Sequence, residues 1–63
     1  MSKRTEFWRI NMVIAVVGLS RSEIYRRVAA GTFPQPRKYS GGSTASFWVS
    51  DEIHQWQRQQ LDG

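Results

Sequence analysis

Ser20 and Glu23 stand three residues apart at the head of the run Ile24-Tyr25-Arg26-Arg27-Val28-Ala29-Ala30, and Gly31 and Phe33-Pro34-Gln35-Pro36 follow it. The Ser/Glu spacing is that of a capping box. The Ser hydroxyl accepts from one backbone N–H that has no partner within the helix, and the Glu reaches back to another. Gly31 can take the left-handed backbone conformation that closes a helix. Both prolines lack an N–H and push the preceding residue to extended geometry, so the helix cannot run past this point. A helix from Ser20 to Ala30 is thus bracketed at both ends, and everything else must be built around it. At about 100° per residue, Ile24 and Val28 share one face and Ser22 and Arg26 lie opposite them. Tyr25 and Ala29 form one shoulder, and Glu23 and Arg27 the other.

The flanking segments are less constrained. Met12-Val13-Ile14-Ala15-Val16-Val17 is rich in β-branched residues, which on propensity slightly favours a buried strand. Its position between Asn11 and Gly18 suits a short helix with Asn11 as N-cap and Gly18 as C-cap, and periodicity does not choose between the two. After the prolines, Arg37-Lys38-Tyr39 and Phe47-Trp48-Val49 are strand-like pieces joined by Ser40-Gly41-Gly42-Ser43-Thr44-Ala45-Ser46, the pattern of a hairpin with a flexible tip. Ser50 is placed to cap a final helix, with Asp51 and Glu52 against the positive end of its dipole and a thin apolar stripe of Ile53, Trp56 and Leu61. Residues 1–6 are polar and read as a flexible basic arm, leaving residues 7–63 as the one domain.

Length and composition exclude several classes of function. A chain of 63 residues buries only about 60% of the surface its unfolded form exposes. A single core of that size supplies roughly 3–5 kcal/mol. It has no Cys, so disulfides and zinc–thiolate sites are ruled out. Its one His, His54, reads as a surface residue without partners at ligand spacing, its neighbours Asp51 and Glu52 read as helix-start acids, and so small a core leaves little space for a catalytic cleft. No enzyme activity, cofactor or metal is expected. The longest apolar run, Met12–Val17, is too short for a membrane span of about 20 residues or a secretion signal, so a cytoplasmic location is expected. The net charge is +4, from nine Lys and Arg against five acids.

Helix, Gly-containing turn, capped basic helix, hairpin and closing helix is the order of a helix-turn-helix with a wing. The residues Gly18-Leu19-Ser20-Arg21-Ser22, Ile24-Tyr25-Arg26, Gly31, Phe33-Pro34, Pro36, Trp48, Glu52-Ile53 and Trp56 resemble the prophage AlpA-like regulators. These are small winged-helix proteins similar to phage excisionases and, more distantly, to the DNA-binding domain of MerR regulators. The resemblance covers about residues 8–60. It implies a mostly α fold with a small β-hairpin, Met12–Val17 as the first helix of the motif and Ser20–Ala30 as the recognition helix. Two features depart from the family pattern: the first helix carries Met12 and Ala15 where charged residues are usual, and the wing tip is Gly, Ser and Thr rather than basic.

On this reading Arg26, with Ser22 one turn before it and Ala29 leaving room, is placed to read a base edge in a major groove. Arg21 and Arg27 flank it toward phosphates, and the backbone N–H groups at Ser20 suit a phosphate oxygen. Tyr25 is placed for a phosphate or a thymine methyl. Arg37 and Lys38 follow the backbone of the adjacent groove or blunt an edge strand. Lys3 and Arg4 are a solubilising tail or a DNA-touching arm. Trp8, Trp48 and Trp56 are expected in the core with Leu19, Ile24, Val28 and Phe33, rather than stacked on bases.

The resemblance implies a sequence-specific binder of double-stranded DNA from a phage or mobile element. Its role there is excisionase (recombination directionality factor), transcriptional regulator of an integrase gene, or both. The alternative is an adaptor that docks on an integrase or another partner through its apolar first helix. An interface as small as a single recognition module suggests head-to-tail self-association on DNA as the source of added affinity.

Overall fold

The computed structural model describes residues 4–42 and 44–62, so Lys3 in the arm and Ser43 in the wing tip lie outside the described residues. The elements run β1 (Phe7–Trp8), α1 (Ile10–Val17), α2 (Arg21–Ala30), β2 (Arg37–Lys38), β3 (Ser46–Val49) and α3 (Ser50–Asp62). This is a mostly helical chain with a small antiparallel sheet, the architecture of a small helix-turn-helix with a wing.

The bracketed helix forms where its end signals place it. Ser20 has extended backbone angles, and its Oγ accepts from the Glu23 N–H at 3.1 Å. Gly31 closes the helix at φ 79°, donating its N–H to the Arg27 and Val28 carbonyls. The second half of the box does not form. The Glu23 carboxylate is turned instead to Arg26 and Arg27, because oppositely charged side chains three and four residues on are its nearest neighbours on a helix surface.

Met12–Val17 is helical, and its helix starts two residues earlier than the apolar run, at Ile10. Arg9 holds the N-cap position without a side-chain hydrogen bond. Asn11, expected as the cap, lies inside the first turn, where its Oδ1 accepts from Arg21 Nη2 at 3.0 Å. A strand here would leave Val13 without the packing that a helix gives it. In α1, Val13 is fully buried, and Ile10, Ile14, Val16 and Val17 pack on the same core. Gly18 at φ 77° then turns the chain into α2.

The sheet has three strands in the order β1-β3-β2, one more than the expected hairpin. Phe7 pairs with Val49 and Trp8 with Trp48 on one side of β3, while Arg37 pairs with Phe47 and Lys38 with Ser46 on the other. Ser50 explains the extra strand. Its Oγ accepts from the Glu6 N–H at 2.8 Å and its own N–H donates to the Glu6 carbonyl at 2.9 Å. The hydroxyl expected to cap α3 is thus spent on fastening the chain ahead of β1. Thr5 also donates to Asp51 Oδ2, so residues 5 and 6 are tied to the start of α3.

Val13, Ile24, Phe33, Trp48 and Ile53 form the core, where Leu19, Val28, Trp8 and Trp56 pack partly buried. Two indole N–H groups satisfy carbonyls of the proline segment. Trp48 Nε1 donates to Pro34 O at 2.8 Å, and Trp56 Nε1 to Thr32 O at 3.0 Å. Trp48 is the fully buried tryptophan; Trp56 stays partly exposed with its ring edge on Phe33. Leu61, counted in the α3 stripe, is 85% exposed in the last turn of α3. His54 is half-buried rather than a free surface residue, edge-on to Trp8 at 5.5 Å, with its Nδ1 unbonded.

Candidate nucleic-acid interface

Ile24 buries completely and Val28 packs beside it, so α2 turns Ser22, Arg26 and Ala29 to solvent. Arg26 is 76% exposed, and Tyr25 and Arg21 stand exposed next to it. The outward row has small side chains before and after a long cation, which allows close approach to a groove. Each cation of this surface already has a protein partner. Glu23 holds Arg26 through one carboxylate oxygen and Arg27 Nε through the other, the latter at 2.8 Å. Arg21 is held by Asn11. Exposed pairs of this kind are worth about 0–1 kcal/mol, so a phosphate or a guanine edge can displace them.

The sheet separates the two basic wing residues. Directly paired residues, and residues two apart on a strand, share a face. Lys38, Ser46, Trp48 and Trp8 therefore lie on the core side. Arg37, Phe47, Val49 and Phe7 lie on the other. On that outer face Phe47 is packed between Phe7 and Tyr39, each at a ring distance of 4.4 Å. Arg37 pairs with Glu52 at the start of α3. Lys38 donates to the Thr44 carbonyl at 3.3 Å, on the side where Tyr25 approaches Trp48 with ring centroids 6.2 Å apart. Lys38 thus lies on the side of the sheet that Tyr25 of α2 approaches, and Arg37 on the other.

A cleft of about 280 Å³ opens on this side, lined by Arg9, Ile10, Tyr25, Thr44, Ala45, Ser46 and Trp48. Arg9 was not legible as a lining residue of this cleft, since it lies before α1, distant in sequence from α2. The only sequence signal was a charged residue between Trp8 and Ile10. A larger open groove of about 550 Å³ lies between the proline segment and α3, beside Trp56 and Gln59, away from the exposed face of α2. Among the described residues no three His, Asp or Glu side chains gather into a possible metal site, and no helix is long and apolar enough to cross a membrane.

A capped basic helix joined through a three-residue turn to a preceding helix, and followed by a hairpin, defines a small helix-turn-helix protein with a wing. The chain belongs to the prophage CP4-57 regulatory protein (AlpA) family, which it matches over residues 6–61. Membership marks it as a phage regulatory protein and points to DNA binding. Comparison with curated proteins and with solved structures gives no match.

Proposed function

We propose that the chain binds double-stranded DNA sequence-specifically, acting for its mobile element as an excisionase, as a transcriptional regulator of an integrase gene, or as both. The observation that carries this reading is the exposed face of α2, with Ser22, Arg26 and Ala29 opposite the buried Ile24, in a chain of net charge +4. In this reading Arg26 leaves Glu23 to take guanine O6 and N7 through two parallel hydrogen bonds. Arg21 and Arg27, with the backbone N–H groups after Ser20, take phosphates of the two flanking strands. Lys38 follows the backbone from the wing. Arg37, paired with Glu52 on the other side of β3, adds to the general field. The protein works in the cytoplasm and performs no catalysis of its own.

Footprinting on the element's attachment-site DNA and on its integrase promoter, with circularly permuted fragments to measure bending, tests the reading. Protection with bending at the attachment site supports the excisionase role, and protection at the promoter alone supports the regulator. No protection on either sinks both.

A second reading rests on α1, where Met12 is 47% exposed and Ala15 lies open to solvent. Such a face suits an integrase or a neighbouring copy arranged head-to-tail on direct repeats. Salt separates the readings, because phosphate contacts weaken steeply with ionic strength and an apolar contact does not.

A further inference from the structure

The cleft between the start of α1, the recognition helix and the wing has an unusual lining for so small a chain. One wall is Arg9, whose side chain makes no ion pair or hydrogen bond among the described residues. Its backbone is pinned, since the Arg9 carbonyl accepts the Met12 and Val13 N–H groups at 3.0 and 3.1 Å. The other walls include Tyr25, Thr44 and Ser46, whose hydroxyls have no hydrogen-bond partner among the described residues. Lys38 donates its Nζ to the carbonyl of Thr44, one of the lining residues. Among the described residues no carboxylate lines the cleft. Glu23 faces Arg26 and Arg27, Glu52 faces Arg37, Glu6 takes the Trp8 indole N–H, and Asp51 takes the Thr5 hydroxyl. Trp48 and Ile10 supply an apolar floor.

Cations and hydroxyl donors, with every nearby acid turned elsewhere, make a site for an anion with several oxygens. Both neighbours of the cleft, α2 and the wing, belong to the DNA-binding surface proposed above. We propose that this cleft seats one phosphodiester of the DNA backbone, held by Arg9 with Tyr25, Thr44 and Ser46, at the point where the strand passes from the recognition helix to the wing. This deepens the DNA-binding reading and rests on it. It assigns Tyr25 to a phosphate rather than a thymine methyl, and makes Arg9 the cation that sets the tilt of α2 on the duplex. The contact carries no base information, so its loss affects all sequences alike.

The test is fluorescence anisotropy of the full chain on two duplexes, the attachment site and a scrambled sequence of equal length, across a salt series. Arg9→Ala is expected to weaken both duplexes by a similar factor and to lower the slope of log K against log salt by about 0.9, the release of one counterion. Arg9→Lys keeps the slope, and Tyr25→Phe weakens both duplexes a few-fold without changing it. Replacing single phosphates by neutral methylphosphonates along the attachment site should reveal a position where wild type loses affinity and Arg9→Ala loses no more. Arg9→Ala should melt as wild type does, since its side chain makes no hydrogen bond or ion pair among the described residues.

An unchanged slope and affinity for a folded Arg9→Ala, or a loss confined to the attachment site, would overturn the proposal while leaving DNA binding intact. A wild-type chain that binds neither duplex overturns both readings. Inorganic phosphate, compared with chloride at equal ionic strength, separates the two sources of the anion. Phosphate binding to wild type but not to Arg9→Ala, with no methylphosphonate position at which the two chains differ on DNA, would assign the cleft to a free ion and overturn the backbone assignment.

Discussion

The two helices of the motif, α1 and α2, are similar in length and both close on a glycine in the left-handed region, Gly18 and Gly31. Their beginnings differ. The second opens on a Ser20 hydroxyl bond, has Glu23 in its first turn and Arg27 in its last. The first opens on Arg9 with no side-chain cap, no acid in its first turn and no base in its last. What holds α1 is packing: Val13 is wholly buried, and Ile10, Ile14, Val16 and Val17 press on the core that Trp48 and Ile53 complete. A helix under about 12 residues is marginal in water, so each needs help. One carries part of that help in its own end signals, and the other takes it from the rest of the fold.

Removing the shared support should break this contrast most severely. Trp48→Ala deletes the largest fully buried side chain and the donor to Pro34 O, a loss on the order of 3–5 kcal/mol. That equals what a core of this size supplies, so the variant is expected to lose its far-UV helical signal at room temperature. Trp56→Ala, at a partly exposed site, is expected to stay folded with a lowered Tm. Equal effects would mean that the two indoles share the core evenly.

Arg26→Ala comes next and tests what α2 is exposed for. It is expected to weaken the preferred duplex by about 1–3 kcal/mol and relax preference at one base pair, while leaving the melting curve close to wild type. A gel-shift series with unchanged base preference would place the reading face elsewhere on the helix.

The caps give a smaller and more direct comparison. Ser20→Ala removes a true cap and should cost about 1 kcal/mol in urea unfolding. Asn11→Ala removes only an exposed hydrogen bond to Arg21 and should cost well under that. If Asn11→Ala were the more damaging, α1 would depend on its own first turn after all.

Glu23→Gln has the smallest effect on folding and an opposite one on binding. It removes two surface ion pairs, each worth about 0.2–0.5 kcal/mol in an isolated helix. It also frees Arg26 and Arg27 and raises the net charge. Tighter binding to a scrambled duplex with less discrimination is expected in the anisotropy assay. Weaker binding to both duplexes would show that the carboxylate orients the arginines rather than competing for them.

The amino-acid sequence by itself determined α2, its two ends and its buried and exposed faces, because capping, glycine closure and the proline stop act within a few residues of one another. It also determined the hairpin, the closing helix and the basic character of the exposed helix face. The tertiary structure alone decided the rest. The β-branched run of α1 is ambiguous until Val13 finds the core. The strand Phe7–Trp8 exists because Ser50, some forty residues on, binds the backbone of Glu6. Likewise, Arg37 and Lys38 are adjacent in the chain, yet the alternation of a strand sends them to opposite faces once β3 fixes the register. Arg9 joins Tyr25, Thr44 and Ser46 only where three elements meet. Local end signals are written in neighbouring residues, whereas strand pairing and clefts depend on contacts between distant ones, whose partners no local pattern names.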